Sequence, residues 1–130
     1  KNGVRSNIAI FVVPLCATIH LSGSTMKIVA CAMAIMLLAG EPLSFLQMAG
    51  FILMLGITMV AAPGVPGGAI MAALGLLQSM LGFNETLQAL MIALYIAMDS
   101  FGTACNVTGD GAIAILIDRI AGNRMGVTTK

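Results

Sequence analysis

Scarcity of charge limits this chain more than any other feature. Between Ser6 and Ile117 the only charged residues are Lys27, Glu41, Glu85, Asp99 and Asp110. A soluble domain carries about 25% charged residues; here they are 8%, against 59% hydrophobic. So few charges cannot cover a water-facing surface, even for a methionine-rich soluble bundle using its 11 Met to bind partners. The chain reads as an integral membrane protein. Its net charge of +1, its 5% aromatic content and the absence of Trp leave nothing for nucleic-acid binding. Cys16, Cys31 and Cys105 lie in apolar segments without metal-ligand spacing and read as free, buried thiols. The chain begins at Lys1 with no signal-peptide pattern, and reads as an excerpt of something longer.

Punctuation divides the sequence into four apolar stretches. The first, residues 8–39, is interrupted by "HLSGST" at 20–25, which predicts a broken helix. "GEPLS" at 40–44 is a turn. The second stretch ends at "APGVPGG", 62–68, through which no regular helix passes. The third, 69–81, is closed by "GFNE" at 82–85, and the last spans 86–121. A helix needs about 20 residues to cross a bilayer, so the third stretch is too short. Residues 45–81 therefore predict a re-entrant helical hairpin with its tip at 62–68. Such a tip is tolerated at membrane depth only against protein or water. The expected fold is all-α, with two transmembrane helices, the first broken, flanking that hairpin. Lys1 and Arg5 at one end, and Arg119, Arg124 and Lys130 at the other, place both ends in the cytoplasm by the positive-inside rule. Four full spans satisfy the same rule.

The stretch "MDSFGTACNVTGD", 98–110, sets polar groups into this apolar background. At about 100° per residue, Asp99, Thr103, Asn106 and Asp110 fall within roughly 60° of one another, on a line about 16 Å long. A carboxylate at mid-membrane costs about 2.5–3.5 kcal/mol on insertion scales, so two of them must face a partner. One reading makes the stripe a structural glue between helices. The other has cations or a charged substrate complete it, since intramembrane ionisable residues mark transport pathways. The broken first helix points the same way, because interrupted helices near the midplane turn backbone carbonyls toward ions in secondary transporters. A Ser/Gly kink without a ligand is its plainer explanation. Cys16 and His20, four apart, suggest a thiol–imidazole enzyme. No orienting group or oxyanion donor accompanies them, and the chain reads as a non-enzyme.

In order and spacing, "PLCATIHLSGS", "APGVPGGAI" and "MDSFGTACNVTGD" resemble the C-terminal part of the glutamate transporter family, the dicarboxylate/amino acid:cation symporters. The likeness covers nearly the whole chain and makes it part of a substrate-binding transport domain. The resemblance implies that Asp99 meets a substrate's amino group, Asn106 its α-carboxylate, and Thr103 and Ser24 further substrate atoms. Val65 and Gly68 fall on the tip that lids the site. For sodium, it implies Asp110 and Asn106 completed by carbonyls near Cys16 and His20. A second sodium site uses carbonyls near Met59, Val60 and Ala62 beside Thr18. Oxygen ligands suit a hard cation. It also implies a plasma-membrane protein that is homotrimeric through a scaffold outside this segment.

Three departures qualify this. Where acidic-substrate members place an arginine, this chain has Gly102, which removes a bidentate carboxylate fork and argues against glutamate or aspartate. The family's "NMDGT" reads "HLSGS" here, so a third sodium site is expected to be lost. Lys27 is a cation in an apolar helix. In one reading His20 or Lys27 replaces a sodium ion, fixed in charge or exchanging protons; in the other Lys27 snorkels or pairs with a carboxylate. The expected function is sodium- or proton-coupled transport of an amino acid or dicarboxylate. A structural or pore-forming membrane segment is the alternative.

Overall fold

A computed structural model describes residues 3–125, with side chains through Ala121. Lys1, Lys130 and the side chain of Arg124, used above to orient the chain, lie outside what is described. Every regular element among the described residues is a helix: α1 (Ser6–Ile19), α2 (Ser22–Leu38), α3 (Phe45–Ala61), α4 (Gly68–Leu81), α5 (Glu85–Ala97) and α6 (Asp99–Met125).

Local sequence explains most of the boundaries. α1 and α2 are one apolar stretch broken at His20 and Leu21, whose backbones leave the helical region (φ −102°, ψ 91° and φ −113°, ψ 42°). α3 stops where Pro63 and Pro66 withdraw backbone donors, and α4 starts after Gly67, whose φ of 77° suits a residue without Cβ. Gly82 ends α4 in the same left-handed region, at φ 71°. Asn84 caps α5, its side chain accepting from the Leu87 N–H at 3.0 Å.

One boundary departs from expectation. The stretch read as a single helix over 86–121 is two, because Met98 (φ −99°, ψ 17°) breaks the regular turn between α5 and α6. The two halves have different partners. α5 belongs to a core shared with α2, α3 and α4, in which Ile28, Phe51, Leu55, Ile70, Leu77 and Met91 are fully buried. α6 instead lies along α1 and α2, with Val12, Cys16 and Ala114 between α1 and α6. Arg5 pins the far end of that pair. Its Nε donates to Asp118 Oδ1 at 2.7 Å and its Nη2 to the Asp118 carbonyl at 2.8 Å.

Two segments are long and apolar enough to cross a membrane, Ser6–Leu38 and Asp99–Ala121. The other three helices, 17, 14 and 13 residues long, are short of the roughly 20 needed. α3 and α4 pack together on either side of the proline-glycine loop. The outside of the molecule is apolar: Phe11, Leu38, Phe45, Leu46 and Phe101 are all more than two-thirds exposed. Water does not tolerate such a surface on a monomer; lipid does. Cys16 and Cys31 are buried free thiols as expected, whereas Cys105 is exposed.

Candidate functional site

The loop between α3 and α4 lies over the break between α1 and α2 and over one face of α6, bordering a half-open cavity of about 240 Å³. Asp99, Thr103, Asn106 and Asp110 all line it, as the helical spacing of the stripe requires. His20 at the break, Ser24 on α2 and Val65 on the tip line it with them. The remaining site candidates are not among its lining residues. Gly68 is buried just behind the tip, where an added Cβ would run into the Pro63 carbonyl oxygen. Gly64 holds the tip against α1: a Cβ there would lie 2.8 Å from the Ala17 oxygen and 3.5 Å from Thr18 Cα.

Four hydrogen-bonded contacts tie the region of the break and α2 to α6. His20 Nδ1 lies 2.9 Å from Asp110 Oδ1. The Gly23 N–H donates to Asn106 Oδ1 at 2.8 Å, and Asn106 Nδ2 donates to Ser24 Oγ at 3.2 Å. Lys27 Nζ donates to Asp99 Oδ1 at 3.2 Å. As the first partner advances from 20 to 23 to 27, the second retreats from 110 to 106 to 99, so α2 runs antiparallel to α6. The approach is close because the facing residues are small. A Cβ on Gly23 would overlap the Gly102 carbonyl oxygen and lie 2.6 Å from Cys105 Cβ. A Cβ on Gly109 would overlap the His20 ring.

Both carboxylates of the stripe thus have basic partners within the chain, but unequally. Asp110 is buried, whereas the Asp99 side chain is 48% exposed beside a Lys27 that is only 4% exposed. Lys27 reaches Asp99 across the face of Tyr95, 3.5 Å from its ring centroid. Its Cε and Nζ lie 3.2 Å from where a Cβ on Gly102 would stand. Gly102 does not line the cavity; it makes room for an ammonium group delivered from α2. Of the two readings of Lys27, the structure shows the pairing with a carboxylate. Tyr95 lines the cavity and escaped the sequence reading. It stands four residues before Asp99, a spacing that shares a helix face, and this was the signal available.

The donor set for a cation is mixed. Asp110, Asn106 and nearby carbonyls offer the oxygen atoms that a hard ion prefers, so the chemistry suits sodium. Within the described residues several of these oxygens already accept a hydrogen bond: Asp110 Oδ1 beside His20, Asn106 Oδ1 from Gly23, and the Cys16 carbonyl from the His20 N–H at 2.7 Å. No side-chain cluster of three or more His, Cys, Asp or Glu occurs among the described residues. In the second sodium set, Met59 and Ala62 are buried and Val60 is exposed. The Met59 carbonyl accepts from the Ala62 N–H at 3.4 Å. Thr18 spends its hydroxyl proton on the Leu15 carbonyl of its own helix, at 2.7 Å. The tip nevertheless rests on this end of α1 through Gly64.

Comparison with known proteins points one way. The sodium:dicarboxylate symporter family matches residues 1–120. Neutral amino acid transporter B(0) of Rattus norvegicus is 27% identical over 123 residues, covering 92% of this chain and 22% of that protein. The Mus musculus protein of the same name gives the same identity and coverage. The chain therefore spans about a fifth of the length of these relatives. No solved structure gives a significant match.

Proposed function

The chain belongs to the sodium:dicarboxylate symporter family, and from that premise we propose that it forms the substrate- and cation-binding part of a coupled secondary transporter. It is a membrane protein of a transporter family, not an enzyme. One observation carries the proposal. A four-residue polar stripe and a proline-glycine loop bound the same 240 Å³ cavity, within an otherwise apolar molecule.

The substrate is a small carboxylate-bearing molecule, an amino acid or a dicarboxylate. Asn106, Ser24 and Thr103 are its polar contacts, and Asp99 is the cavity carboxylate open to a cationic group. The relatives' name, neutral amino acid transporter, supports a substrate without a second negative charge, as does Gly102. Asp110 and Asn106 with neighbouring carbonyls would hold sodium, and the carbonyls of Met59, Val60 and Ala62 beside Thr18 would hold a second ion. Bound there, sodium supplies the positive charge that the stripe needs when substrate loads. Loop 62–68 acts as a lid. α3 and α4, too short to span, enter the membrane as a re-entrant hairpin from the outside, and both ends of the segment face the cytoplasm of a plasma-membrane protein. Alternating access follows when the loaded unit moves against a scaffold contributed by the rest of a homotrimer.

A structural or pore-forming segment is the second reading. It draws support from the two pairs Lys27–Asp99 and His20–Asp110, which leave no carboxylate of the stripe without a partner. Uptake by the intact protein in proteoliposomes separates the two. Saturable, sodium-dependent accumulation against a gradient is expected. Unsaturable flux, or none with any small carboxylate, refutes the transport reading.

A further inference from the structure

We propose that Lys27 is a built-in counter-ion that sets substrate class, so that this site does not require its substrate to carry an ammonium group. The inference rests on the transport reading above and adds to it.

A carboxylate on a cavity wall attracts a cation, and a half-exposed Asp99 with no basic neighbour would select ligands that supply one. Here that cation is part of the chain. Lys27 Nζ takes Asp99 Oδ1 at 3.2 Å and lies on the Tyr95 ring at 3.5 Å, so two electron-rich partners hold it in place. It is 4% exposed and does not line the cavity. It therefore sits behind Asp99 and Tyr95, with the substrate space in front. The arrangement depends on Gly102, because a Cβ there would press to 3.2 Å on both Nζ and Cε. Glycine on α6 and lysine on α2 form one device: the first opens the space and the second fills it with charge.

The consequence for recognition is electrostatic. An incoming ammonium meets a pair that is already neutral, with one carboxylate oxygen occupied and a fixed positive charge directly behind. Its gain over a ligand lacking the ammonium is correspondingly small. Without Lys27, Asp99 becomes a bare carboxylate at a shielded wall, and a charge-assisted hydrogen bond to a ligand ammonium favours the amino compound about tenfold or more.

The test uses probe pairs that differ only by an amino group: propanoate with L-alanine, and succinate with L-aspartate. Each competes for binding to the purified intact protein, read as ligand-induced thermal stabilisation and as inhibition of uptake. For the wild type, the two members of at least one pair should bind within about threefold of each other. In Lys27→Met the amino member should gain about tenfold on its partner. Lys27→Gln keeps a polar contact to Asp99 without the charge and should show the same gain, which covers a Met variant that fails to fold. A wild-type preference of about tenfold or more for the amino member in every pair that binds, unchanged in the folded variant, overturns the inference. Selective loss of the anionic members in the variants would show Lys27 contacting substrate carboxylate, and also overturns it. If no probe binds the wild type at all, the transport reading falls, and this inference with it.

Discussion

Gly23→Ala is the sharpest test of how the site is held together. The added methyl would overlap the Gly102 carbonyl oxygen, lie 2.6 Å from Cys105 Cβ and 3.2 Å from Asn106 Oδ1. Carbon atoms rest at about 3.5–4.0 Å, so α2 and α6 must part by about 1 Å. The two nearest obstacles are a backbone oxygen and a Cβ rather than the ends of flexible side chains, so the helices themselves must move. Overpacking of this kind costs about 1–3 kcal/mol. Losing the 2.8 Å bond from the Gly23 N–H to Asn106 adds about 0.5–1.5 kcal/mol. Better helix propensity returns less than about 1 kcal/mol. The net expectation is a loss of about 0.5–4 kcal/mol in stability. Because Asn106 also loses its orientation, affinity for substrate should fall by about tenfold or more. The assay is thermal unfolding of the intact protein alongside substrate competition. Gly56→Ala and Gly75→Ala serve as controls, since an added methyl meets nothing within 4 Å at either position, and helix propensity predicts no loss. If Gly23→Ala behaves like these controls in both measurements, the close crossing of α2 and α6 does not exist as described.

Three further outcomes follow from the same geometry. Asp110→Asn removes the charge at the buried end of the stripe; sodium half-saturation and substrate affinity should worsen together, each about tenfold or more, and a loss confined to substrate would refute the coupling assignment. His20→Ala releases Asp110 Oδ1 from its 2.9 Å partner, so the sodium concentration for half-maximal uptake should drop severalfold, and an unchanged value would show that His20 and the cation do not compete. Arg5→Met removes the two-point grip on Asp118 at 2.7 and 2.8 Å, whose partners are 20% and 12% exposed. The unfolding temperature should fall measurably, with substrate affinity unaltered because neither residue lines the cavity.

Features governed by local periodicity or backbone chemistry were readable from sequence, and those set by long-range pairing were not. The polar stripe was legible because 3.6-residue spacing alone puts Asp99, Thr103, Asn106 and Asp110 on one face. The loop at 62–68 was legible because two prolines and three glycines leave a helix no way through. The interruption near His20 was visible as a cluster of small polar residues. The break at Met98 was hidden, since "ALYIAMDS" contains neither Pro nor Gly. It arises where a helix committed to the α2–α5 core gives way to one committed to α1. The partners of the charges were equally hidden. Lys27 in isolation suits an interfacial residue or an ion substitute. Only its placement over Gly102 and Tyr95 shows that its head group has an intramolecular carboxylate. Gly102 looked like the loss of a cation and is where one is accommodated.

The break at His20 and Leu21 is explained by a mismatch of lengths. On α6, the stripe from Asp99 to Asp110 extends about 16 Å at 1.5 Å per residue. Its partners run from His20 to Lys27, which in an unbroken helix would extend only about 10 Å. An unbroken α1–α2 would fall about 6 Å short of the stripe, a gap that the lysine side chain alone would have to bridge. Extended backbone advances about 3.3 Å per residue, so two residues out of helical conformation recover about 2–4 Å. The long reach of the lysine side chain supplies the remainder. The unwound pair thus lets one segment satisfy both carboxylates, while Gly23 brings the two backbones together midway. It also makes the two ends of the stripe mechanically dependent. A group that draws His20 away from Asp110 acts on the same short frame that holds Lys27 to Asp99. On the proposed transport reading, cation and substrate would be coupled through α2 as well as through the lid.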